Sequence, residues 1–139
     1  MIRGYRFLEH TADFRLEIFG TDAPDLFVQA ALALTELITD SGALQGRQEQ
    51  TLVVTGTDWP DLMVNWLREL LYLWSGEEKL VCQATMEALG RTQLRARVVT
   101  DAYDAAKHEI RNEIKAVTYH RIETGPCKTG WRARVIFDI

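Results

Sequence analysis

The chain has 139 residues, 47% hydrophobic and 26% charged, with a formal net charge of −4. This is the composition of an ordinary globular protein, long enough for one domain with a core of its own. No apolar run reaches the roughly 18 residues of a membrane-spanning helix, and the negative charge argues against a general coat for nucleic acid.

The opening MIRGYRFLEH has no apolar h-region, so no export signal is expected and a cytoplasmic location is. Cys82 and Cys127 form no C-x-x-C or zinc-type spacing and read as two reduced thiols. Charge is unevenly placed. Residues 1–87 carry 6 basic and 14 acidic side chains, and residues 88–139 carry 10 basic and 6 acidic. Such polarity either steers the molecule toward a charged partner or belongs to solvated strand faces.

In chain order, residues 4–8 (GYRFL) and 14–20 (FRLEIFG) read as two strands, with Phe14, Leu16 and Ile18 on one face. The period then changes. Leu26, Phe27, Ala30, Leu34, Leu37 and Ile38 recur at helical spacing behind a cap at Thr21 or Asp22 and Pro24 in the first turn, and Ser41-Gly42 ends the helix. A loop over 43–50 leads to a short strand at 51–55. The second helix repeats the first: Asp58 caps, Pro60 follows, Gly76 closes, and Leu62, Met63, Trp66, Leu67, Leu70, Leu71 and Trp74 form a broad apolar stripe.

Period two returns over 80–89, 92–100, 112–124 and 131–138, with a polar connector at 101–111 holding at most one helical turn. Alternations such as Trp131, Ala133, Val135, Phe137 against Arg132, Arg134, Asp138 belong to antiparallel strands with one face in water. The fold class is therefore α+β: two helices on one face of a mostly antiparallel six- to seven-stranded sheet, two layers, in a single domain over 1–139.

The familiar catalytic signatures are missing, whether Walker-type, G-x-G-x-x-G or G-x-S-x-G. His10, His108 and His120 show no zinc spacing. Polar groups concentrate in two places, LEHTAD at 8–13 and VIFDI at the C-terminal end. If the last strand pairs near Asp13, then Asp13, Asp138 and the Ile139 carboxylate converge. Three oxygen donors without nitrogen or sulfur describe a hard-cation site for Ca²⁺ or Mg²⁺, although carboxylates at strand ends are commonplace. Lys115 either serves an anion or pairs with Glu113, and a strand there puts Lys115, Val117, Tyr119 and Arg121 on one face.

EHTAD, DLMVNWLRELLYL, EIKAVTYH and the terminal VIFDI, in order and at similar separations, resemble the archease family over essentially the whole chain. The resemblance implies a non-enzymatic cofactor of the tRNA-splicing-type RNA ligase, which joins RNA ends through a guanylylated histidine. Such a cofactor promotes guanylylation, restores multiple turnover and meets RNA only through the ligase, with no membrane partner. The family's divalent cation, Ca²⁺ first with Mg²⁺ or Mn²⁺ as alternatives, falls on Asp13, Asp138 and Ile139. Lys115 becomes a functional residue that is not a ligand, and Glu9, His10 and His120 become supporting residues. Two positions depart from the family pattern: bulky, charged Arg15 follows the first motif, and Asn65 stands where an acid is common. The competing readings are a metal-dependent phosphoester hydrolase with His10 or His120 as base, and a chaperone-like or RNA-binding module using the basic C-terminal half.

Overall fold

The computed structural model describes residues 4–10 and 13–139, with side chains described at 4–6 and from 13 onward. Seven strands and two helices follow the chain as β1 (Tyr5–His10), β2 (Asp13–Gly20), α1 (Ala23–Ile38), β3 (Gln48–Thr55), α2 (Trp59–Glu77), β4 (Lys79–Leu89), β5 (Gln93–Ala102), β6 (Ala116–Cys127) and β7 (Gly130–Asp138). The α+β class and the antiparallel pairing are as the alternation predicts. The strands divide into two sheets rather than one, ordered β1-β2-β7-β6 and β3-β5-β4. Hairpin patterning fixes which neighbours pair but not where a sheet ends. Here the connector after β5 carries the chain across to the other sheet.

Both helices begin with one device, GTDAPDL at 20–26 and GTDWPDL at 56–62. Asp22 and Asp58 are the caps, accepting from the amides of Asp25 (2.8 Å) and Asp61 (2.9 Å). Asp25 and Asp61 in turn reach back to accept from the amides of Thr21 and Thr57, each at 2.8 Å. The glycine ahead of each device lets backbone press on backbone. A Cβ on Gly20 would lie 2.3 Å from the Leu26 nitrogen, and one on Gly56 would lie 2.6 Å from that of Leu62.

The helices end differently from expectation. Gly76 does not close α2; it stays helical beneath the Tyr72 ring, and Glu78 ends the helix in the left-handed region (φ 54°), its amide donating to Leu73 and Trp74 carbonyls. α1 stops at Ile38, before Ser41-Gly42, because Thr39 turns extended to bridge Ile110 and donates its hydroxyl to the Glu109 carbonyl at 2.7 Å. β3 starts earlier than expected, paired with β5 from Gln48 onward.

Both helices touch strands of both sheets, so one apolar cluster joins all the layers. Trp66 lies fully buried at its centre, its indole N–H donating to the Phe27 carbonyl at 2.9 Å and tying α2 to α1. The connector is fastened by His108, which is buried. Its Nδ1 accepts from the Asp104 amide at 3.0 Å, and its Nε2 lies 3.2 Å from the Asp101 carboxylate. Both cysteines are free thiols, and burial, with the Asp101 charge adding, pushes Cys82 up to about 11. No described helix is long and apolar enough to cross a membrane.

The twin caps yield a quantitative expectation. Asp22→Ala and Asp58→Ala should each lower stability by about 1 kcal/mol, and the double variant by about 2 kcal/mol because the two caps share no hydrogen-bond partner. Urea unfolding measures this; an unchanged midpoint in either single variant contradicts the capping account.

Candidate functional site

The β2–β7 ladder pairs Phe14 with Phe137, Leu16 with Val135 and Ile18 with Ala133, and these face the helices. The alternate pairs occupy the outer face: Asp13 with Asp138, Arg15 with Ile136, Glu17 with Arg134 and Phe19 with Arg132. β6 continues the rows, with Ala116 beside Asp138, Thr118 beside Ile136 and Glu123 beside Arg134.

The first row holds the cation candidates. Asp13 and Asp138 are direct cross-strand partners, and the Lys115 amide donates to the Asp138 carbonyl at 2.8 Å. Ile139 follows immediately, exposed, as is Asp138. Two carboxylates facing each other across a ladder repel unless a cation lies between them. Arg15 supplies part of that charge, its Nε 3.4 Å from Asp13 Oδ1. Among the described residues no three His, Cys, Asp or Glu side chains gather as a metal site. Ile139 offers main-chain and terminal oxygen beside the two carboxylates. The donor set fits a hard cation.

The other candidates are spread more widely. Lys115 is exposed just ahead of β6, and among the described residues no ion pair links it to Glu113. On β1, Glu9 lies opposite Arg15 and His10 opposite Phe14, with their side chains outside the described residues, as are Thr11 and Ala12 of the same motif. His120 is exposed, its amide donating to Thr118 Oγ1 at 3.3 Å, and it stands four residues along β6 from the Asp138 row.

Tyr119 and Arg121 do not share a face in a regular strand as expected. The ladder skips from Thr118 to Glu123, and Arg121 takes a positive φ of 51°. Tyr119 instead turns toward α2, where its hydroxyl donates to Asp61 Oδ1 at 2.8 Å. Arg68 stacks over its ring at 4.5 Å while donating to the Val117 carbonyl at 3.1 Å. Asn65 lies in this cluster, its Nδ2 donating to the Thr55 carbonyl at 2.9 Å. An acid at 65 would lose that donor and add charge beside Asp61. The spacing of Asp61, Asn65 and Arg68 on one helix face was the available signal for this cluster. The amide of Thr57, followed by the hydroxyl of Tyr119, holds the Asp61 carboxyl below the usual range, and Asp61 in turn raises Tyr119.

Sequence reasoning also missed Glu17, an outward-facing acid that is only 2% exposed. Its cover is guanidinium: Arg6 at 2.6 Å, Arg134 at 2.9 Å and Arg132 at 3.9 Å. Desolvation raises its pKa, but the hydrogen bonds from Arg134 and Arg6 outweigh this and lower it overall.

The model of the Archease protein family (MTH1598/TM1083) matches residues 5–139. Proteins named archease from Methanosarcina mazei and Methanosarcina acetivorans are each 35% identical to this chain, covering 97% of it and 95% of their own length. The solution structure of Methanobacterium thermoautotrophicum Protein 1598 superposes with a TM-score of 0.82 at 28% identity, covering 99% of this chain and 100% of that one.

Two measurements test the electrostatics. Tyr119→Phe removes a donor to the ionised Asp61, so the Asp61 pKa followed by carboxyl-carbon NMR should rise; no change would remove Tyr119 as its partner. Glu17→Gln should destabilise by about 1–2 kcal/mol at neutral pH. Because the folded-state pKa of Glu17 is lowered, its contribution is complete above the ordinary carboxylate range. It is lost as pH falls through the lowered value, so wild type and variant should converge in acid.

Proposed function

The chain belongs to the archease family, and on that premise we propose that it is a cation-holding protein cofactor of a tRNA-splicing-type RNA ligase. In this role it promotes guanylylation of the ligase and its multiple turnover. Membership supports a role as a protein cofactor in RNA processing, and the family name suggests an activator rather than a catalyst. The observation that carries the finer reading is the register of β2 on β7, which sets Asp13 against Asp138 beside Ile139, with the Lys115 amide on the Asp138 carbonyl.

The chain's own work is to hold and to present. β7 lies between β2 and β6, so Asp138 has a ladder partner on either side and its carboxylate is positioned without a loop's freedom. Asp13 sits on the neighbouring strand in the same row. Lys115 anchors this edge through its amide and leaves its ammonium exposed, able to meet a phosphate oxygen on the ligase's nucleotide or RNA. When bound, a divalent cation supplies positive charge to phosphoryl oxygens. Phosphoryl transfer depends mainly on positioning and charge neutralisation, so a partner protein can assist without a nucleophile.

Asp13→Ala and Asp138→Ala should each abolish Ca²⁺ binding measured by calorimetry, and with it stimulation of guanylylation and of multiple-turnover joining by the cognate ligase. Circular dichroism should remain that of the wild type. Residues appended after Ile139 should impair both readouts. Normal stimulation by either alanine variant would sink the proposal.

A further inference from the structure

The outer-face row beside Asp13 and Asp138 runs from Arg15 on β2 through Ile136 on β7 to the irregular stretch of β6 between Thr118 and Glu123. Ile136 is short, apolar and buried, and long polar side chains rise on both sides of it. The result is a hollow of about 140 Å³ lined by Arg15, Arg121, Glu123, Arg134 and Ile136, with Leu16 and Val135 at its base. Among the described residues three guanidinium groups line it against one carboxylate, and β1 sets Glu9 opposite Arg15 in the same register.

Nearby acids offset this charge in part. Arg134 Nε bonds Glu17 at 2.9 Å and its other arm meets Glu123 at 3.5 Å, while Arg15 meets Asp13 at 3.4 Å. Arg121 is different: among the described residues no acid lies within ion-pair distance of it. Its backbone is also the costly kind, left-handed at φ 51° in a residue with a full side chain. That turn lies in the segment where Tyr119 to Ile122 face Val135 alone, and it brings Arg121 to the hollow rather than to the side of Tyr119.

We propose that this hollow binds a phosphoryl group, with Arg121 as its principal donor and Arg15 and Arg134, each already paired with an acid, beside it. Guanidinium forks match phosphate oxygens in bidentate fashion. Donors arriving from three strands suit a tetrahedral group with oxygens in several directions better than a planar carboxylate with two. An anion seated over Ile136 also gives Arg121 a counter-charge that no described acid supplies. The site is distinct from the Asp13–Asp138 pair, though Arg15 borders both.

The test needs neither ligase nor divalent cation, so its failure leaves the cofactor reading standing. The full chain is titrated with inorganic phosphate while the arginine Nε–H signals and the Ile136 amide are followed by NMR. Saturable shifts at Arg15, Arg121 and Ile136 in the low millimolar range are expected. Arg121→Gly deletes the guanidinium while keeping a residue that accepts positive φ, and should weaken binding roughly tenfold or more, the loss of one charge-assisted hydrogen bond. Arg132→Ala removes the same charge from the same face outside the hollow and should change binding less than twofold. Short RNAs ending in a 3′-phosphate or a 3′-hydroxyl are then used as competitors. Displacement by the phosphorylated RNA alone assigns the site to an RNA end, and displacement by neither assigns it to a free phosphate or nucleotide. Absence of saturable shifts overturns the site, as does equal weakening by Arg121→Gly and Arg132→Ala, since that is diffuse charge.

Discussion

The ladder between β2 and β7 is the constraint on which the rest of the molecule depends. It runs through eight consecutive pairs, from Asp13–Asp138 to Gly20–Trp131, without a bulge. Because strand side chains alternate, this one register sends Phe14, Leu16, Ile18, Ala133, Val135 and Phe137 into the core and the carboxylates and arginines to the other face. A slip of one residue would expose the first set and bury the second. The apolar packing that stabilises the fold is thus what holds Asp13 opposite Asp138. Burial of some of those side chains is worth about 2 kcal/mol apiece, far more than any exposed ion pair on the outer face.

That face is organised in rows of differing charge. Its first row is acidic, its second sets Arg15 between Glu9 of β1 and the apolar Ile136, and its third is an alternation of Arg6, Glu17, Arg134 and Glu123 across the four strands. Glu17 is nearly dry because arginines lie over it rather than because it enters the core. The acidic and basic halves of the sequence meet here: β1 and β2 come from the acidic part of the chain, β7 and β6 from the basic part, and β2 lies directly beside β7. Charge segregated along the chain becomes charge opposed across a sheet.

Elements with a strong period were legible in the sequence. Asp22-Ala23-Pro24 and Asp58-Trp59-Pro60 announced both helices, and the Trp131-to-Asp138 alternation gave a strand whose inward and outward sets are correct. The pairing of Asp13 with Asp138 followed from a conditional that sequence could state but not decide, since alternation does not say which strands meet. Local punctuation misled at Gly76, where the Tyr72 ring covers the glycine and the helix continues to a left-handed Glu78. The irregular stretch of β6 left no such mark. Nothing in EIKAVTYHRIE signals a positive φ at Arg121, so a strict period of two put Tyr119 and Arg121 on one side. The Tyr119–Asp61–Asn65–Arg68 cluster joins residues more than fifty positions apart and needed the tertiary fold to appear.

The position of β7 also sets an order of events during synthesis. It is the seventh strand made, yet it occupies an interior place between β2 and β6. Until it has been made, β2 and β6 have no common neighbour, and each shows an unpaired edge of backbone donors and acceptors. The other sheet, β3-β5-β4, can close earlier, because all its strands are complete by Ala102. Folding of the four-stranded sheet therefore waits on a contact between distant parts of the chain, the kind of closure that slows folding. A chain that stopped before β7 would lack both the Asp13–Asp138 row and the Ala133, Val135 and Phe137 side chains of the core beneath it. Such a fragment would not be a weaker version of the protein but an unfinished sheet, with open edges prone to pair with other chains.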